Sequence, residues 1–216
     1  LLMNNYIKQA ARYWRTLKHL KAGQILNRVS RRFYLGKPQL VAIPDISNFK
    51  PNIIWPSKKQ SILGNSKFLF LNEELELNFP GDWNNKSIPL LWTYNLHYGD
   101  GLLAVDTENN LKKHHITQWI IGNPGFSGVA WEPYPISLRA VNWIKWSWVN
   151  KEPIENFERS LATQIAHLFC SLEYHLLGNH LLENAKALIF GGCYFKGGEP
   201  TKWLNKGLEI LDQELS

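Results

Sequence analysis

The chain has 216 residues, 44% of them hydrophobic, which is enough to bury a core and suits one domain or part of a larger one. No apolar run is long enough to cross a bilayer, and Cys170 and Cys193 lack metal-type spacing, so a transmembrane protein and a disulfide scaffold are both excluded and buried free thiols are expected. The formal charge of +6 suggests a polyanion partner, yet nine of the 24 Lys and Arg lie in residues 1–37, where there is no acid. That leaves 15 basic against 18 acidic residues elsewhere, so the positive field belongs to the N-terminal arm.

Residues 4–34 carry Ile7, Ala10, Ala11, Trp14, Leu17, Ile25, Val29 and Phe33 at helical spacing, with Gly23 interrupting. Residues 1–37 are therefore predicted to form a basic amphipathic helical arm. Membrane-surface and nucleic-acid arms share this look, as does a docking helix with a solvated basic face. Aromatics do not interleave with the charges as on a base-stacking platform, and no nucleic-acid partner is expected. The region 38–84 is predicted to be a linker broken by Pro38, Pro44, Pro51 and Pro56, followed by a small β-hairpin over 67–78 around Asn72-Glu73-Glu74.

From residue 85 onward, helices are expected to dominate, making the chain mainly α. Residues 89–104 concentrate side chains with an apolar body and a polar tip, Trp92, Tyr94, Asn95, His97 and Tyr98, which suit a groove wall. Helices are predicted over 109–121, 136–150, 154–176 and 199–215, with the loop Gly125–Val129 a flexible connection lacking the P-loop pattern. Arg139, placed in the first turn of its helix, opposes the helix dipole and needs a carboxylate from the protein or a ligand.

The stretch 172–195, LEYHLLGNHLLENAKALIFGGCYF, is the most informative. At about 100° per residue, Leu181, Leu182, Ala185, Leu188 and Ile189 share one side of a helix, and Asn179, His180, Glu183 and Asn184 share the other. A solvated face usually carries Lys and Glu pairs; two amides, an imidazole and a carboxylate suit a ligand as well as they suit an ordinary polar face. Gly178 is placed to separate two helices, leaving Asn179 near a positive helix N-terminus that favours an anion. CxxC pairs, HExxH, DxDxDG and GxSxG are absent, so neither a metal site nor a serine-hydrolase elbow is expected, and no cofactor is called for.

The runs LWTYNLHYGD (91–100), WIIGNPG (119–125), WEPYPISLRAVNWI (131–144) and LEYHLLGNHLLENAKALIFGGCYF together resemble the N-terminal helical domain of heparinase II/III-type polysaccharide lyases, over roughly residues 85–215. The basic arm is similar to the lead-in of many bacterial members. The resemblance implies an incomplete (α/α) toroid over 85–216, normally followed by an antiparallel β-sandwich, and β-elimination on a uronate-containing polysaccharide. It implies that Asn179 holds the uronate carboxylate and that His180 assists there or acts as the base. It also implies that Glu183 pins the same group, that Arg139 supplies positive charge, and that Trp92, Tyr94, His97 and Trp131 wall the cleft, with Asn184 a further candidate.

The family's catalytic Tyr and a His of its β-domain have no counterpart before Ser216. The chain is therefore expected to be an N-terminal fragment with half a site and little activity alone. A non-catalytic glycan-binding or helical scaffold protein is the alternative. No export signal is visible in the residues given, which leaves the bacterial cytoplasm and periplasm both open.

Overall fold

The computed structural model describes residues 42–150, 152–176 and 178–216. The expected basic arm, and the membrane and nucleic-acid readings attached to it, lie outside the described residues. These residues are mainly helical, with six α-helices and two small antiparallel two-stranded sheets. None of those helices is long and apolar enough to cross a membrane.

The Pro-rich segment is anchored where β1 (Asp45–Ile46) pairs antiparallel with β4 (Phe195–Lys196), and again where Phe49 and Trp55 pack on Trp148. The expected hairpin is present as β2 (Lys67–Phe70) and β3 (Glu73–Glu76). Its turn falls at Leu71-Asn72, earlier than the sequence suggested. Both residues have positive φ, 55° and 63°, the conformation a two-residue hairpin turn requires. Alternation sends Phe68 and Phe70 inward, and Phe70 meets Trp92 edge-on at 5.0 Å.

α1 (Leu90–Tyr98) starts after Pro89 and stops at Gly99, whose left-handed φ of 71° caps the helix. α2 spans Asn109–Gly122, matching its expected extent. α3 (Pro133–Val149) begins three residues before the expected position, because Pro133 is itself suited to a first turn and the Ser137 hydroxyl donates back to its carbonyl at 2.8 Å. Arg139 therefore sits in the second turn, and the dipole argument made for it does not apply.

α4 (Phe157–Phe169) is shorter than the expected 154–176. Beyond Phe169, the Ser171 hydroxyl donates to the His167 carbonyl and the Glu173 N–H donates to Asn184 Oδ1, so side chains replace the next helical turn. α5 (Gly178–Tyr194) opens at Gly178, where φ is 54°, and α6 (Gly198–Leu215) follows after Gly197.

α5 and α6 form an antiparallel pair whose backbones approach so closely that a Cβ on Gly192 would lie 2.5 Å from Leu204 Cβ, and one on Gly207 2.7 Å from the Ala185 carbonyl oxygen. α3 and α5 run side by side in the same direction, since Tyr134 meets His180 near their starts and Trp148 meets Phe190 near their ends. α4 runs back along α3, with Gln164 against Arg139 and Phe157 against Trp143.

Between these helices lie Trp83, Trp92, Trp119, Trp143 and Trp203, all fully buried. Burying each Trp removes roughly 200 Å² from water, at most about 5 kcal/mol against an extended chain. Most of the aromatic content thus serves packing. Both cysteines are free, but Cys170 is exposed and Cys193 half-buried, contrary to the expected buried thiols; Cys170 lies past the end of α4 rather than inside a helix.

Candidate functional site

Arg139 is 1% exposed and faces neither a ligand cleft nor a carboxylate. Its Nε donates to Gln164 Oε1 at 2.7 Å, Nη1 to the His97 carbonyl at 3.1 Å and Nη2 to the Ala130 carbonyl at 2.7 Å, while its guanidinium lies 3.9 Å from the centre of the Trp119 ring. Burial pushes its pKa well below the ordinary value. Three oxygens and a π-face take the place of the expected counter-ion, because the planar fork satisfies several loop and helix ends at once. Buried and internally bonded, Arg139 is not placed to supply the positive charge to a substrate that the family resemblance implied.

Three of the four expected cleft walls also belong to the core. Trp92 is buried and its Nε1 donates to the Glu73 carbonyl. Trp131 is buried, with Nε1 donating to the Asn123 carbonyl at 3.3 Å. His97 is enclosed completely: Trp119 Nε1 donates to its Nδ1 at 3.0 Å, so Nε2 carries the proton and donates to the Trp83 carbonyl at 3.0 Å. Burial, with Arg139 adding to it, depresses its pKa to about 3, the Trp83 carbonyl opposing the shift. α1 explains the split, since residues 92, 93, 96 and 97 turn inward and 94, 95 and 98 outward. Only Tyr94 stays at the surface, donating to Glu132 Oε2 at 2.5 Å.

The polar quartet of α5 divides. Asn184 is completely buried: its Nδ2 donates to Ser137 Oγ at 3.0 Å and to Glu173 Oε2 at 3.1 Å. It is a structural clamp and not a sugar contact. Glu183 is half-buried and paired with Lys186 one turn on. Asn179 is exposed in the first turn. The expected anion position at the helix N-terminus is taken at the Gly178 N–H by Glu214, which accepts that hydrogen bond at 3.0 Å.

His180 remains accessible, its side chain 43% exposed, and its surroundings are specific. Nδ1 lies 3.4 Å from Oε2 of Glu173, a carboxylate only 7% exposed, and the ring sits 4.4 Å from that of Tyr134. Nδ1 is buried and makes no hydrogen bond among the described residues, so the carboxylate facing it at that distance acts on it electrostatically and favours the tautomer protonated there, with the lone pair on Nε2. Tyr134 lies 6.0 Å from Tyr98, which stacks at 6.4 Å on Tyr94. α1, α3 and α5 thus combine into one face of three tyrosines and a histidine, underlain by Glu173.

The phenols are held in the protonated form. Burial, then Glu183 and Glu173, raises the pKa of Tyr134. Burial raises that of Tyr98 to about 12, with Tyr134 and Asp100 adding to it. Burial and the Glu132 hydrogen bond raise that of Tyr94 further. Each keeps its O–H at neutral pH, that of Tyr94 being given to Glu132, and presents a flat apolar ring. A separate hollow of about 370 Å³ lies between α1 and the hairpin, lined in part by Lys58, Phe70, Asn95 and Asp100.

Glu132, Tyr134 and Glu173 were not singled out from the sequence. All three lie inside the quoted runs WEPYPISLRAVNWI and LEYHLLGNHLLENAKALIFGGCYF, but spacing along a single helix cannot reveal a cluster built from three helices and the turn before α5. Comparisons with family models, with curated proteins and with solved structures returned no match.

Proposed function

We propose that these helices form part of a polysaccharide lyase acting on a uronate-containing glycan by β-elimination. The observation that carries the proposal is His180, exposed beside Asn179, backed by the buried Glu173 carboxylate and flanked by Tyr134. In this reading a sugar lies across the tyrosine rings, and the Asn179 amide donates to the uronate carboxylate. His180 Nε2 takes the proton from C5, the electron pair of that C–H bond forms the C4–C5 double bond, and the C4–O bond breaks, its oxygen taking a proton from water as it leaves. The Asn179 donor lowers the cost of the enolate-like charge, and Glu173 steadies the imidazolium that forms.

The parallel pair α3 and α5, each with an antiparallel neighbour, supports an arc of an (α/α) toroid. The loss of Arg139, Trp92, His97 and Trp131 from the surface narrows the candidate substrate contacts to Asn179, His180, Tyr94, Tyr98, Tyr134 and, through its edge, Glu183.

The test is incubation of the full-length protein with sulfated and unsulfated uronate glycans while following the ultraviolet absorbance of new unsaturated uronate. Appearance of that product is expected. Its absence across the panel, with binding retained, favours a second reading for which the three-tyrosine ladder speaks: a glycan-binding surface without chemistry.

A further inference from the structure

On α5 the half-buried side runs from His180 past Glu183 and Lys186 to Phe190, and on α3 the half-buried Tyr134 and Lys145 flank it at its two ends, Asn142 between them being buried. Eleven residues separate Tyr134 from Lys145, about 17 Å at the helical rise. The tyrosine face therefore extends into a track longer than one sugar ring. At its far end, Lys145 Nζ lies 4.6 Å above the Trp55 ring and 5.6 Å from that of Phe190. Trp55 stacks in turn on Trp148 at 6.1 Å.

Two other lysines lie close enough to disturb the charge on Lys145. Lys58 pairs with Asp100 at 3.5 Å and Lys186 with Glu183, but the contacts of the Lys145 ammonium among the described residues are aromatic. Burial, then Lys186 and Lys58, lower its pKa, while Glu183 and Asp100 offset this only in part. One half-buried positive charge is thus left over within a ring of two matched pairs. Aromatic rings hold a cation in place without neutralising it, which leaves it able to take an anion.

We infer that Lys145, held over Trp55 and Phe190, is the cation of an anion subsite that takes the carboxylate or sulfate of an acidic sugar unit displaced along the track from His180. The substrate assignment rests on the lyase reading above; the anion site itself stands on Lys145 held over the Trp55 and Phe190 rings without a carboxylate partner among the described residues.

The test uses protein labelled with 13C-lysine, the Lys145 ε-CH2 signal being identified by its loss in Lys145→Gln. Inorganic sulfate at constant ionic strength, an unsulfated oligouronate and its carboxyl-reduced neutral counterpart are titrated separately. Sulfate and oligouronate should each shift the signal saturably, and the neutral sugar should not. Lys145→Gln should weaken both anions roughly tenfold or more, whereas Lys145→Arg should retain them. An unmoved Lys145 signal with both anions, or Lys145→Gln binding them as tightly as the wild type, overturns the inference. If sulfate saturates Lys145 while the oligouronate binds nowhere, the anion site is upheld and the substrate reading falls. If the oligouronate binds at His180 without moving Lys145, the lyase reading survives and this inference does not.

Discussion

Asn184 grips Glu173 at two points: its Oδ1 accepts the Glu173 backbone N–H at 2.8 Å, and its Nδ2 donates to the Glu173 carboxylate at 3.1 Å. This amide in the middle of α5 ends the run of chain after α4 and fixes the carboxylate beneath His180. Asn184→Ala leaves a buried N–H and a buried carboxylate short of partners, and should cost about 3 kcal/mol in urea unfolding. Asn179→Ala, on the exposed first turn of the same helix, should change stability by less than about 0.5 kcal/mol. Equal effects would mean that the two asparagines are not divided into clamp and contact.

His97 and His115 make folding sensitive to acid. Both are buried, and burial holds each pKa near 3 in the folded chain against an ordinary value of 6.5. Below about pH 6.5 the unfolded chain binds two protons that the folded chain refuses, so stability is complete above that value and falls as pH drops towards 3. The slope from these two groups is about 2.7 kcal/mol per pH unit near pH 5. Unfolding free energies measured between pH 7 and pH 4 should show it. His115→Leu, which replaces a ring packed 5.5 Å from both Phe68 and Trp83, should roughly halve the slope.

Arg139 should behave as a structural cation. Arg139→Met strands the His97 and Ala130 carbonyls and the Gln164 amide oxygen, and is expected to lower stability by about 3 kcal/mol. Arg139→Lys should not restore it, since a single ammonium cannot span the three acceptors that the fork reaches. Urea midpoints of the two variants provide the check, and recovery by lysine would show that charge rather than shape matters there.

Periodicity and breakers made much of this architecture legible. The hairpin, α2 and the α5–α6 region follow from alternation, helical spacing and Gly178. The limits of α3 and α4 did not follow, because they are decided by Pro133 joining its own helix and by Asn184 competing for backbone donors eleven residues away. Helical spacing joined Asn179 and His180, which both stay accessible, but also swept in the buried Asn184, since an arc drawn on one helix does not know that α3 covers part of it. Arg139, Trp92, His97 and Trp131 misled for one reason: a polar tip on a large side chain looks the same whether it meets a sugar or a buried carbonyl. Glu173 and Tyr134 gave no signal because their importance lies in what other elements bring to them.

The most direct test of the account is His180→Ala compared with wild type in steady-state cleavage of a uronate glycan, with glycan affinity measured alongside. If His180 removes the C5 proton, kcat should fall by about two to four orders of magnitude while affinity changes little. An unchanged kcat, or equal losses in cleavage and binding, would contradict the assignment of the chemistry to this histidine.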